Sequence, residues 1–135
     1  MRPLKLRVLW HLIGWAYLGL VVYASLTPAP PDLLSFSMGD KVIHVTAYAI
    51  MMLWFGLLYR SRQSLLIIGA LFITLGIALD LLQGRTGYRT MEVMDMVANA
   101  FGVLGGGLLA RTRIGLTLIW VEDLVFDGLA ERKKQ

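Results

Sequence analysis

The sequence predicts an all-α integral membrane protein, a four-helix bundle with a C-terminal amphipathic helix. Three observations predict it. The 135 residues are 57% hydrophobic and 16% charged, with mean hydropathy +0.66, against a soluble balance of roughly half apolar and a quarter charged. The apolar residues fall in four runs of spanning length. The basic residues gather beside those runs, as topology signals do. A chain this short has room for one domain, and a small soluble core could not hide so much apolar surface. Residues 1–113 are expected to form the membrane domain and 114–135 a cytoplasmic or interfacial tail.

The first run, Val8 to Leu26, follows Arg2, Lys5 and Arg7 and carries no formal charge. About 20 residues at 1.5 Å rise cross a hydrocarbon core of roughly 30 Å. Trp10 and Tyr23 suit the two interfaces. The competing reading is a cleaved signal peptide ending near Val22-Tyr23-Ala24, but the run exceeds the usual 7–15-residue apolar region. Thr27 to Gly39, rich in proline and turn formers, reads as a loop. Asp40-Lys41 opens the second span, from about Val42 to Tyr59, closed by Arg60 and Arg62. Leu65 to Leu82 makes the third and Met94 to Ala110 the fourth, closed by Arg111 and Arg113. From Ile114 to Ala130, apolar residues alternate with Glu122, Asp123 and Asp127, the pattern of an amphipathic helix on the membrane surface or against the bundle.

Composition also excludes. The chain has no cysteine, which removes disulfides, thiol catalysis and thiolate metal sites. The net charge of +4 reflects loop arginines and lysines rather than a nucleic-acid surface. Ten of the thirteen basic residues fall on one side if both termini are cytoplasmic, and only Lys41, Arg85 and Arg89 on the other. The positive-inside rule therefore predicts cytoplasmic termini in a bacterial inner membrane.

That topology gathers the polar residues at one depth. Asp40, His44 and Tyr48 share one face of the second span at i, i+4, i+8. Asp80 and Gln83 end the third. Arg85 and Arg89 occupy the loop, and Glu92, Asp95 and Asn99 open the fourth. Ala98, Gly102, Gly106 and Ala110 recur at every fourth position of the fourth span, a face that lets another backbone approach. Ala70, Thr74 and Ala78 offer a looser version on the third. The third and fourth helices are expected to pack against each other.

Ionisable groups at membrane depth are costly and tend to mark function. One reading makes His44 a proton carrier, oriented by Asp40 or Asp95, with Arg85 or Arg89 holding an anionic group. The other is a structural network in which Arg89 pairs with Asp80 or Asp95, Asn99 bonds a backbone carbonyl and His44 satisfies a carboxylate. Nothing has the spacing of an established catalytic motif. No metal or other cofactor is expected, since His11 and His44 fall near opposite membrane sides. Gly105-Gly106-Gly107 lacks the Lys-Ser/Thr of a phosphate loop.

Taken in order, Asp40-Lys41-x2-His44-x3-Tyr48, Asp80-x2-Gln83 and Arg89-x5-Asp95-x3-Asn99-x2-Gly102 resemble the VanZ-like family of small bacterial membrane proteins. The resemblance covers about Ser25 to Ala110; Asp80 departs from it, a glutamate being expected there. It implies a multi-pass protein of the cell envelope, and the namesake is associated with lowered sensitivity to teicoplanin. The expected function is recognition, by a periplasm-facing cluster, of the head group of a lipid or lipid-linked cell-wall precursor. The alternatives are a membrane enzyme acting on such a lipid, with His44 as acid/base, and a structural subunit. The expected partners are membrane lipids and a lipid-linked envelope precursor, with a homo-oligomer or membrane complex left open and no nucleic acid.

Overall fold

The computed structural model describes residues 4–28, 38–87 and 92–132, with side chains to residue 126. Arg89, expected at the site, and the side chain of Asp127, expected on the tail's polar face, lie outside what is described. The described residues form α1 (Arg7–Leu26), α2 (Gly39–Leu58), α3 (Arg62–Arg85), α4 (Val93–Ala110), a 3₁₀ turn (Arg113–Leu116) and α5 (Thr117–Arg132), with no strand among them. The first four helices are long and apolar enough to cross a membrane. The protein is an all-α, multi-pass membrane protein.

Helix ends follow local chemistry. α1 stops at Thr27, extended at ψ 134°, because the residue before a proline, here Pro28, disfavours helix. α2 and α3 join through a tight turn in which Ser61 Oγ caps α3 by accepting from the Ser64 N–H at 3.0 Å. α3 ends where the Thr86 hydroxyl donates to the Gln83 carbonyl at 2.6 Å, and Gly87 follows at φ 77°, a backbone region that favours glycine. α3 is one turn longer at each end than its apolar run, because hydropathy marks what lies in lipid and not where helical hydrogen bonding stops.

The packing differs from the sequence expectation. α4 packs chiefly on α2, not on α3. A Cβ added at Gly102 would meet the Val45 carbonyl and one at Gly106 the Ala49 carbonyl, while Ala110 lies against Gly56. These two parallel helices touch backbone to backbone. Ala70, Thr74 and Ala78 of α3 are exposed, and its buried face is instead Leu65, Gly69, Phe72, Gly76, Leu79, Asp80 and Gln83. Periodicity showed small residues on both helices without saying which neighbour each face meets. Around the seam, Met51, Met52, Phe55, Phe72 and Val103 form the core.

α1 is held largely by polar hooks. The Tyr17 hydroxyl donates to the Ala47 carbonyl at 3.2 Å and the Trp54 indole to the Trp10 carbonyl at 3.0 Å. The tail grips the chain just before α1. Glu122 of α5, buried, accepts from the N–H groups of Lys5 (2.6 Å) and Leu6 (2.8 Å) and from the Trp10 indole (2.8 Å). α5 is thus tied to the start of α1. Burial pushes the Glu122 carboxyl up, but those three hydrogen bonds and the Lys5 charge outweigh it and hold it below the ordinary 4.5.

Two outcomes follow. Gly106→Val should force α2 and α4 apart and cost about 3 kcal/mol or more, read as loss of helical circular dichroism with rising dodecyl sulfate. Gly105→Val, whose Cβ meets nothing within 4 Å, should stay within about 0.5 kcal/mol of wild type. For the tail, a carboxyl lowered by folding contributes stability above its unfolded pKa and loses it as pH falls through the folded value. Proteolysis of α5 in detergent should therefore accelerate only below pH 4.5. Glu122→Gln should loosen α5 at neutral pH by roughly 1–3 kcal/mol and show no acid transition.

Candidate functional site

The α2–α4 seam fixes the site. Because the helices run parallel and touch along glycine, the first turn of α2 lies beside the first turn of α4, and the last turns of α3 close the third side. Lys41 is at the centre. Its ammonium contacts Asp40, Glu92 at 2.5 Å and Asp95 at 2.6 Å, with only 13% of the side chain exposed. Carboxylate oxygens of Asp40, Glu92 and Asp95 come within 4.8 Å of one another, a spacing that suits a cation. The lysine ammonium is the cation they hold. Asp95 Oδ1 receives that charge without a directed hydrogen bond.

Beneath this trio lies a chain of polar contacts. His44 Nδ1 is 2.9 Å from Asn99 Oδ1, and Asn99 Nδ2 donates to Asp80 Oδ2 at 3.3 Å. The Asn99 amide nitrogen faces Asp80 and its oxygen, which can only accept, faces His44. Nδ1 then carries the proton. In neutral imidazole Nε2 is left as an acceptor, 3.9 Å from Asp95 Oδ2 and making no hydrogen bond among the described residues. Asp80 and Asn99 are 2% exposed, so the orientation is set from inside the bundle.

Gly76 is the residue the sequence reading missed. A Cβ there would lie 3.0 Å from Asn99 Nδ2 and 3.2 Å from the Tyr48 hydroxyl, so the bare α3 backbone makes room for both. The signal was available: Gly76, Asp80 and Gln83 fall at i, i+4, i+7. Tyr48 is buried, as a helix-face partner of His44 would be.

The remaining expected residues divide. Ala98 is buried on α4 with the small-residue seam. Gln83 turns away from His44, its amide donating to the Ser25 carbonyl at 2.5 Å and tying the end of α3 to the end of α1. Arg85 is exposed in the last turn of α3 and makes no ion pair among the described residues. It complements the helix dipole there. The expected pairing of Arg89 with Asp80 or Asp95 lies outside the described residues; Lys41 pairs with Asp95, and Asn99 bonds side chains rather than a backbone carbonyl.

These features define a class: a small multi-pass α-helical membrane protein with a lysine–carboxylate cluster and an oriented histidine at one end of the bundle. No family model, curated protein or solved structure matches the chain.

Removing Lys41 takes away the ammonium that the three carboxylates share. Lys41→Met should destabilise the protein by roughly 1–3 kcal/mol, since only Asp95 of the three partners is buried and Asp40 and Glu92 are half exposed to solvent. Arg85→Gln should change it by less than about 0.5 kcal/mol. Dodecyl sulfate unfolding of the purified variants checks both.

Proposed function

We propose that this is a VanZ-like protein of the bacterial cytoplasmic membrane, both termini cytoplasmic, whose periplasm-facing cluster binds the polar head group of a lipid or lipid-linked cell-wall precursor. The order and spacing of the motif residues and the asymmetry of the basic residues support the family and the orientation. One observation carries the function: among the described residues His44 Nε2 makes no hydrogen bond, next to a carboxylate and an ammonium, at the end of a membrane bundle. Three carboxylates, Asp40, Glu92 and Asp95, share the Lys41 ammonium, and Asp40 and Glu92 are half exposed. Such a surface favours a head group that brings hydroxyl or amine donors, with Arg85 placed at the rim for a phosphate. The second reading is an enzyme acting on the same head group. The Asp80–Asn99–His44 chain favours it, because a fixed tautomer with Nε2 as acceptor is what a general base requires.

Two experiments test the proposal. Since the chain has no cysteine, Gly87→Cys and Thr112→Cys each carry a single label site. A membrane-impermeant maleimide applied to intact spheroplasts should label position 87 and spare position 112; the reverse pattern would sink the orientation. For the site, lipids extracted from the purified protein and weighed by mass spectrometry should include a species depleted about tenfold in Asp95→Asn and kept in Arg113→Gln. An unchanged lipid profile in Asp95→Asn would overturn recognition by this cluster. His44→Gln should keep that species under the enzyme reading, whose turnover it would abolish.

A further inference from the structure

Among its described side chains, α5 is an amphipathic helix turned inside out. Leu118 and Glu122, one turn apart, are each only 4% exposed. The opposite face carries Trp120, Val121, Leu124 and Val125, at i, i+1, i+4 and i+5, and all four are exposed, Leu124 to 79%. An amphipathic helix lying on a soluble bundle keeps its apolar stripe inside and its acids in water. Here the acid Glu122 faces in, and the outward stripe holds no acidic side chain.

The position of α5 says what covers that stripe. Its leading turn follows Ala110, the last residue of α4, and the Arg60 guanidinium just beyond α2 donates to the Gly115 carbonyl in that turn. Further along, Glu122 holds the Lys5 and Leu6 N–H groups ahead of α1. α5 is thus pinned at its start and near its middle to the ends of helices long enough to span. Those ends share one membrane surface, so α5 is held where hydrocarbon gives way to head groups. The exposed apolar surface of α4, at Leu108 and Leu109, continues along the chain through the exposed Ile114 to the stripe. Trp120 is of a residue type favoured at that level. Arg111 and Arg113, both exposed just before the stripe, can reach phosphates while their apolar neighbours sink.

We propose that α5 is an interfacial anchor, with Trp120, Val121, Leu124 and Val125 inserted among the lipids of the leaflet where α4 ends and α1 begins. This anchor serves either orientation of the bundle and does not involve the polar cluster, which lies at the opposite end.

Because the chain has no cysteine, a nitroxide can be placed singly on the full protein in vesicles of phosphatidylcholine and phosphatidylglycerol. Oxygen concentrates in hydrocarbon and a nickel chelate in water, so their collision rates report the solvent around the label. Labels at Val121→Cys and Leu124→Cys should collide more with oxygen than with nickel, as at Leu104→Cys on an exposed face of α4. Their depth should be roughly 5–10 Å into the boundary between head groups and acyl chains. Nickel-dominated collisions at either position would leave the stripe in water. Shielding from both reagents would mean that a second copy of the chain covers it. Either result overturns the anchor.

Discussion

The close approach of α2 and α4 is the constraint on which the rest depends. Lipid provides no hydrophobic drive for two apolar helices to associate, so they must gain by packing and polar contacts. Gly102 and Gly106 bring α4 onto the carbonyls of Val45 and Ala49, and Ala110 onto Gly56. Each contact is one that a larger side chain would hold open. The seam also sets register. With Gly102 against Val45, Asn99 comes level with His44 and Asp95 with Lys41, and the polar cluster is the consequence at one end of the same interface.

Lysine suits that centre for a physical reason. Three carboxylates converge from the first turn of α2, the residue just before α4 and the first turn of α4. A compact ammonium with three donors can face all three, whereas a planar guanidinium is shaped for two parallel bonds to one partner. Asp40 and Asp95 also lie in first turns, where the helix dipole favours negative charge. The acids are therefore held by the lysine and by the two helix starts together, which stabilises an excess of carboxylates. Asp95 is thereby held on Lys41, with its second oxygen 3.9 Å from His44 Nε2.

Much of this was legible in the sequence. Four apolar runs fixed the fold class because lipid demands length and hydropathy of any spanning helix. Asp80, Asp95, Asn99 and His44 stood out because polar groups are rare at that depth. The α2–α4 pairing was not legible, since helical periodicity identifies a small-residue face but not the neighbour it meets. The centrality of Lys41 was hidden because its sequence position resembles that of Arg85, and only the seam distinguishes them. Glu122 read as one of several tail acids because its partners at residues 5 and 6 are backbone N–H groups, which no side-chain pattern records.

The two ends of the bundle handle α1 alike. α1 fully buries only Gly14 and Val21, with Tyr17 and Leu18 partly buried on the core, and near each end a polar side chain from elsewhere grips the backbone: Gln83 at the Ser25 carbonyl, Glu122 at the Lys5 and Leu6 N–H groups just before the helix. Directional bonds of this kind are worth most where water does not compete, which is the condition close to a membrane core. They position α1 without requiring its face to close tightly on α3. The gap left between those helices, floored by Phe55 and Phe72, follows from attachment at the ends. A tightly packed α1 would have excluded both that gap and the lipid-facing exposure of Trp15.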